Sequence, residues 1–546
     1  MTESAQQVEQ DSAAERDDEP VPRPARPRLL PVGAMLLLTA CFFALSLAQS
    51  LTRPWNSDTA SVALQGWDMV HGQLLLHGWW ASDVNFYTFD APIYGLTALV
   101  LGLSGFSLHV AGALIYTLVF LSACWLARGG AQGTGAWLRV ALVALFMTAD
   151  LFGGGALLQT IMIVPDHNGT IVFVFVAYVV YTRFADRRWA PWAMLAVLML
   201  GQLGDVTVRY VAVPALLFVW AVEHLRGRRL RTPETWLALA ALVSVPAAVE
   251  LRSLMKAMGA YYLTKAHTNI APLSQAGWHF TGMWQSLFGM FGVDVYNFPG
   301  DTPSRVALTC FGGFALVCGL LSLLRVLIRW TRVDDADRLL AVTVLVYLAA
   351  YEFSTVAQPG NGGGYEFVGV VVLLAALSAR AASSLRPLRL PSFQRAGTAV
   401  AASAAVICLV SGTSLFQATK SDPVRPLAAW LEEHHLTYGL GGYWNASPIT
   451  VYSGGGVQVR PIYLRAAGEG FIARIWGARQ QWYDVKSNDA RFVVAEQDPR
   501  GDMTQAQVES ALGAPSAVYS VDGYSILVYS YNLLTKLSTP GLPAGA

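Results

Sequence analysis

Charge is scarce: only 13% of the 546 residues are Asp, Glu, Lys or Arg, where a soluble globular chain carries roughly 25%. So few charges cannot clothe a water-facing surface, and with 54% hydrophobic residues the main solvent of this chain is expected to be a bilayer. A net charge of +1 leaves no electrostatic footprint for nucleic acid, which is excluded as a partner; membrane lipids take its place. Cysteine is equally sparse. Cys41, Cys124, Cys310, Cys318 and Cys408 all fall in apolar stretches, where a thiol behaves as a small hydrophobe, so neither a disulfide framework nor a zinc site is supported. No internal repeat is visible. The first 28 residues, acidic and then ending Pro-Arg-Pro-Ala-Arg-Pro-Arg, have too little apolar area to fold alone and read as a disordered cytoplasmic tail.

What is abundant is apolar sequence of membrane length. Leu29 to Gln49 can span a core of about 30 Å and has no small-residue cleavage site, so it reads as a retained first helix. Further runs follow at about 108–127, 140–163, 170–183, 189–204, 208–224, 234–253, 305–328, 338–353, 366–380 and 397–416. Arginine orients them. With about eleven spans, Arg23/Arg26/Arg28, Arg128/Arg139, Arg183/Arg187/Arg188, Arg226/Arg228/Arg229/Arg231, Arg329/Arg332/Arg338 and Arg380/Arg386/Arg389/Arg395 all fall on one side, which the positive-inside rule makes cytoplasmic. This requires Pro92 to Phe106, short for a span at about 15 residues, to lie at the outer interface instead of crossing. Past about residue 417 the composition changes. Trp430-Leu-Glu-Glu opens a polar helix, and short strands at Ala490–Glu496 and Tyr524–Tyr529 flank a helix at 504–513. The expected fold is a polytopic α-helical membrane protein of about eleven transmembrane helices with a small C-terminal extracytoplasmic α/β domain. Its parts are a tail (1–28), a transmembrane domain (29–416) and the outer domain (417–546), in a plasma (inner) membrane with the N-terminus cytoplasmic. The preference for arginine over lysine suggests a GC-rich bacterial source.

That topology sorts the carboxylates. Asp58, Asp90, Asp166, Asp205, Glu250, Glu352 and Glu366 fall at the outer rim, where intramembrane acids normally line a bundle interior or a wet cavity. Glu352 and Glu366 read as solvated helix ends, and Asp205 as the partner of Arg209 one turn on. Asp150, near the middle of its helix, reads as packed against an Arg or hydroxyl partner. Asp58 stands out in Trp55-Asn-Ser-Asp-Thr, inside a loop of more than 50 residues rich in Trp and Tyr, because long ordered loops are usually functional. His167 has no second histidine at ligand spacing. The sequons at Asn168-Gly-Thr and Asn445-Ala-Ser are read as chance.

A first helix, a long outer loop bearing an acid, an amphipathic stretch and a second acid before a proline resemble the GT-C superfamily of membrane glycosyltransferases. Asp58-Thr-Ala-Ser-Val-Ala-Leu-Gln-Gly looks like the loop-one aspartate segment of the aminoarabinose transferase and protein O-mannosyltransferase branch. Phe86-Tyr-Thr-Phe-Asp-Ala-Pro-Ile-Tyr94 resembles the branch's acid-Lys-Pro-Pro element, with Ala91 where lysine is frequent. Val164-Pro-Asp-His-Asn-Gly-Thr170 is similar to the acid-x-acid element of oligosaccharyltransferases, with Asn168 for the second acid. The resemblance implies an enzyme that transfers sugar, with inversion, from a polyprenyl-phosphate-linked donor to an envelope glycan, lipid or protein acceptor. It assigns Asp58 as general base. Asp166 shares that role, orients the acceptor, or joins Asp58 in holding a divalent cation, Mg or Mn, by oxygen ligation. Asp90, His167 and Asn168 are the accompanying substrate-binding candidates. Of the cations at the outer boundary, Arg53, Arg209, Arg252, Lys256 and Lys265, the preferred phosphate partners are Arg209 and Lys265. Trp55, with Trp79, Trp80, Trp278 and Trp284, offers a stacking face for a sugar or belongs to the interfacial aromatic belt. Two rivals remain at this stage: a transporter or flippase, and an inactive GT-C relative that binds lipid-linked glycan.

Overall fold

The computed structural model describes residues 29–82, 84–152, 167–227, 232–264, 269–293, 303–355, 357, 367–382, 422 and 424–538. The chain divides into two compact units between Ala40 and Cys41. Residues 29–40 of the first are helical, and the packing and contacts described below are those of the second.

The apolar runs become helices because a chain without water partners must satisfy its backbone internally. In order they are α1 (Leu29–Ser50), α2 (Ser57–Val70), α3 (Asp90–Leu101), α4 (Gly105–Arg128), α5 (Gly133–Phe152), α6 (Asn168–Arg183), α7 (Ala190–Gly204), α8 (Thr207–Leu225), α9 (Pro233–Ala257), α10 (Ala276–Met290), α11 (Pro303–Ile328), α12 (Asp335–Glu352) and α13 (Val368–Ala382). Among the described residues five helices are long and apolar enough to cross a membrane: Val32–Ser50, Gly105–Arg128, Thr207–Leu225, Pro233–Ala257 and Thr309–Ile328. Shorter apolar helices accompany them, which gives a multi-pass architecture. Where the expected runs fall on described residues they are helical, while 153–163, 366 and 397–416 lie outside them.

The stretch expected at the outer interface is α3, only 12 residues or about 18 Å long, too short to span. Gly102, at a φ of +81°, turns the chain, and a capping box between Ser104 and Ser107 starts α4. Leu96, Leu99 and Val100 leave α3 with an exposed apolar face. Its other side packs on α2 so closely that a Cβ on Gly66 would stand 2.0 Å from the Ala91 carbonyl oxygen, and one on Gly95 would stand 2.2 Å from that of Gly66.

At one end of the bundle the arginines converge. Arg380 donates from Nε to Asp337 at 2.5 Å, from Nη2 to Asp334 at 2.6 Å and from Nη1 to the Leu126 carbonyl at 3.0 Å. Arg139 caps the Ala127 carbonyl at 3.0 Å, and Arg183 reaches Gly129. Arg338 pairs with Asp335 at 2.6 Å and Glu223 at 3.0 Å. Arginines from several of the clusters recognised in the sequence thus meet in space.

Beyond α13 the chain builds α14 (Val424–Glu433), α15 (Tyr443–Tyr452) and α16 (Gln505–Leu512) around a six-stranded sheet. The strands that matter here are β1 (Trp79–Ala81), β2 (Tyr262–Leu263), β3 (Tyr438–Gly441), β4 (Gln458–Leu464), β5 (Phe471–Ala473), β6 (Ala478–Arg479), β7 (Phe492–Glu496), β8 (Ala517–Val521) and β9 (Tyr524–Val528). The sheet order is β5-β4-β3-β7-β9-β8, with β3 parallel to β4 and β7 and the other pairs antiparallel. Side chains alternate across β7: Phe492 and Val494 join α14 and α15 on one face, while Val493 and Ala495 join α16 on the other. The polar helix starts at Val424, before the Trp430 start read from sequence, because Val424, Leu427 and Leu431 supply its buried stripe. Asn445 is buried and bonded to Glu496 and Tyr524, so its sequon is not open to modification.

A second, three-stranded sheet sews this domain to the first loop. In it β1 runs parallel to β2 and antiparallel to β6, pairing Trp80 with both Tyr262 and Ala478. Trp80 thereby enters the core of the C-terminal domain, and Arg479 pairs with Asp68 of α2 at 3.0 Å.

Candidate functional site

The first loop delivers Asp58 on the opening turn of α2. Asn56 caps that helix, accepting from the Thr59 amide at 3.2 Å, and its amide nitrogen donates to Asp58 Oδ2 at 3.1 Å. The other carboxylate oxygen accepts from the hydroxyl of Tyr443, the first residue of α15, which lies 385 positions away in sequence. Ser57 ties the same two segments by donating to the Tyr443 carbonyl at 2.5 Å. The Arg474 guanidinium lies 3.8 Å from the Tyr443 ring centroid and 4.7 Å from that of Tyr463. Asp58 is therefore half-buried between the first loop and the C-terminal domain, facing donors and a cation.

Burial dominates its ionisation, pushing the carboxyl above the usual carboxylate range. The Tyr443 hydrogen bond, the Arg474 charge and the Asn56 amide pull it back in that order. Burial, followed by the Asp58 charge, raises the Tyr443 hydroxyl well above its ordinary value, so the proton of this pair sits on the tyrosine and Asp58 is the acceptor. Removing the tyrosine hydroxyl in Tyr443→Phe deletes the strongest opposing influence. The Asp58 pKa then rises further, and the acidic limb of any Asp58-dependent pH–rate profile moves to higher pH. An unchanged limb would separate Asp58 from the tyrosine.

Asp90 sits in a different cluster. It is buried at the start of α3 and packs on the first turn of α6, where a Cβ on Gly169 would stand 2.6 Å from Asp90 Oδ2. His167, in the left-handed region at a φ of +56°, and the buried Asn168 open α6. His167 Nδ1 lies 2.6 Å from Asp205 Oδ2, and Thr170 donates to the same oxygen. Asp205 thus pairs with His167 and not with Arg209. As the extended C-cap of α7 it lies outside any helix, so the four-residue spacing to Arg209 does not bring them face to face; instead it accepts from the Thr207 amide at 2.9 Å. The Thr88 hydroxyl, donating to the Leu200 carbonyl at 2.8 Å, and the Phe86 amide, donating to the Gly204 carbonyl at 2.9 Å, pin the Phe86–Asp90 segment to the end of α7. Asp58 and Asp90 stand apart: Gly66, which meets Ala91, is about 12 Å along α2 from Asp58.

Cations flank the second cluster. Arg209 donates to Gln202 at 3.3 Å, and Arg252 on α9 lies 5.9 Å from the Tyr261 ring, near enough to Arg209 for the two charges to repel. Tyr261 in turn packs on Tyr87 at 5.0 Å. Trp55 offers no free face, being buried and stacked on Tyr452 at 4.5 Å, and Trp79 and Trp80 are buried as well. Glu352 is not a fully solvated helix end, since its Oε2 is buried. Asp166, Lys265 and Glu366 lie outside the described residues, as does the side chain of Asp150. Among the described residues no three His, Cys, Asp or Glu side chains group as metal ligands.

Sequence reasoning missed Tyr443 and Arg474. The only local signals were an aromatic pair, Tyr443-Trp444, after two glycines and an arginine set between Ala473 and Ile475.

No family model and no curated protein matches the chain. Among solved structures it is similar to ArnT from Cupriavidus metallidurans bound to undecaprenyl phosphate, at 12% identity and a TM-score of 0.53, over 94% of this chain and 99% of that one. A looser likeness links it to the apo oligosaccharyltransferase of Archaeoglobus fulgidus, at 11% identity and a TM-score of 0.44, over 86% of this chain and 70% of that one. The likeness to ArnT runs through nearly the whole of both chains and shows that the two share a fold.

Proposed function

We propose that this protein is a membrane glycosyltransferase that uses a polyprenyl-phosphate-linked sugar and employs Asp58 as its general base. The observation that carries the reading is the Asp58 carboxylate, raised by burial and held at the junction of the first loop and the C-terminal domain in a chain of this fold. An acceptor hydroxyl that displaces the Tyr443 hydroxyl from Asp58 Oδ1 gives its proton to that oxygen as it attacks the anomeric carbon. The bond from that carbon to the phosphate oxygen breaks, and the electron pair leaves with the polyprenyl phosphate. A single displacement inverts the anomeric centre, and solvent then takes the proton from Asp58. The leaving group is already a stable anion and needs charge stabilisation more than protonation. In this reading Arg209, one of the two cations preferred from the sequence, and Arg252, near it on α9 beside the Phe86–Asp90 segment, meet the phosphate. The undecaprenyl phosphate bound to ArnT supports a polyprenyl phosphate as the lipid partner here.

In this reading the arginine-rich end of the bundle faces the cytoplasm and Asp58 faces the opposite side of the plasma membrane, where α3 lies along the interface. The test is to incubate purified protein with a panel of radiolabelled polyprenyl-phosphate sugars and membranes lacking the protein. Label should pass from lipid to an envelope acceptor with one of the donors. If every donor in the panel stays intact, the reading falls.

A further inference from the structure

The guanidinium of Arg474 is unusual for a charge in a packed setting. Among the described residues it makes no ion pair and no hydrogen bond, and its Nε is buried with no partner. It lies against the rings of Tyr443 and Tyr463 and makes no hydrogen bond to the described residues from its donor fork. Leaving the buried Nε unmet is costly, whereas an anion would accept from it and from a neighbouring Nη at once. Apolar faces flank it. Tyr463 is 46% exposed and Trp444 is 48% exposed, the latter packed edge-on against Tyr443 at 5.0 Å. Aromatic faces open to solvent beside a cation make a platform for a sugar ring that carries a negative group.

We propose that Arg474, Trp444 and Tyr463 form a subsite for an anionic saccharide, one bearing a phosphate or carboxylate, and that this subsite belongs to the acceptor. The assignment to the acceptor rests on the reading of Asp58 as general base, because Tyr443 links the Arg474 platform directly to that carboxylate. An acceptor seated there approaches Asp58 from the C-terminal domain, while the donor phosphate is met by Arg209 and Arg252 across the membrane helices. Filling the platform presses on Tyr443, the residue that must yield its place on Asp58 Oδ1.

The test is equilibrium binding to the full-length protein in detergent, which needs no transfer reaction. The probes are glucose 1-phosphate, glucose, inorganic phosphate and undecaprenyl phosphate in mixed micelles. Glucose 1-phosphate should bind about tenfold more tightly than glucose, and Arg474→Gln should erase that advantage. Trp444→Ala should weaken glucose 1-phosphate about threefold and leave inorganic phosphate unchanged. Undecaprenyl phosphate should bind Arg474→Gln as it binds wild type; a loss there assigns the platform to the donor and overturns the proposal. Equal affinity of wild type and Arg474→Gln for glucose 1-phosphate also overturns it. Should Arg474→Gln fail to fold, Arg474→Lys keeps the charge and loses the fork, and unchanged binding in that variant contradicts the assignment. Asp58→Asn should still bind all four probes, the anionic ones no more weakly than wild type, while losing transfer. An active Asp58→Asn protein would remove the catalytic reading and leave the binding result standing.

Discussion

Replacing Asp58 with asparagine is expected to lower glycosyl transfer by about 10²–10⁴-fold, the usual contribution of a general base, while yield and insertion stay near wild type. Asparagine keeps the volume of the carboxylate, so no cavity opens, and its carbonyl still accepts from Tyr443. Its new amide nitrogen meets the amide nitrogen of Asn56, which now donates to Asp58 Oδ2, and the local cost is that one hydrogen bond. What is lost is the capacity to take a proton at neutral pH. The exposed Glu250, on α9, supplies the control: Glu250→Gln should be silent. An Asp58→Asn protein with near-full transfer would return Asp58 to helix capping and interface packing. A fall in yield without a fall in activity per molecule would do the same.

The largest stability effect is expected at the opposite end of the bundle. Arg380 is 3% exposed and holds Asp337 and Asp334, so Arg380→Ala leaves acids facing one another without their shared cation. Removing one partner of a buried ion pair typically costs about 3–5 kcal/mol. Detergent-solubilised Arg380→Ala should melt far below wild type and aggregate on size-exclusion chromatography. Adding Asp337→Asn should recover part of the loss, since the deleted charge is the one left unpaired. Wild-type melting of the single variant would mean that the network adds nothing to the packing of α12 and α13.

Much of this architecture was legible because a bilayer imposes a length and a composition on each helix, and those survive in a bare sequence. The short α3 was separable from the spans by its length together with the arginine placement, and the helix expected at 504–513 is found at Gln505–Leu512, where Thr504 and Gln507 form its capping box. Asp58 was legible as an acid inside a long aromatic loop. Its partners were not, since the contact with Tyr443 joins segments 385 residues apart and leaves no periodic trace in either. The pairing of Asp205 failed for a related reason: helical spacing suggested Arg209, but the chain is extended at Asp205, and the partner came from the start of another helix. Trp55 shows the limit of composition, because an aromatic in a wet-looking loop proved to be packing under Tyr452.

The central claim is that the polyprenyl-phosphate sugar is cleaved here and not merely carried. The direct measurement reconstitutes the purified protein in proteoliposomes with a donor labelled in both sugar and phosphate, together with the acceptor, and follows the two labels through one turnover. The account predicts that the labels part, with one polyprenyl phosphate released for each sugar transferred and an inverted anomeric centre in the product. Both labels remaining on one lipid while it crosses the bilayer would contradict the account and make this protein a flippase.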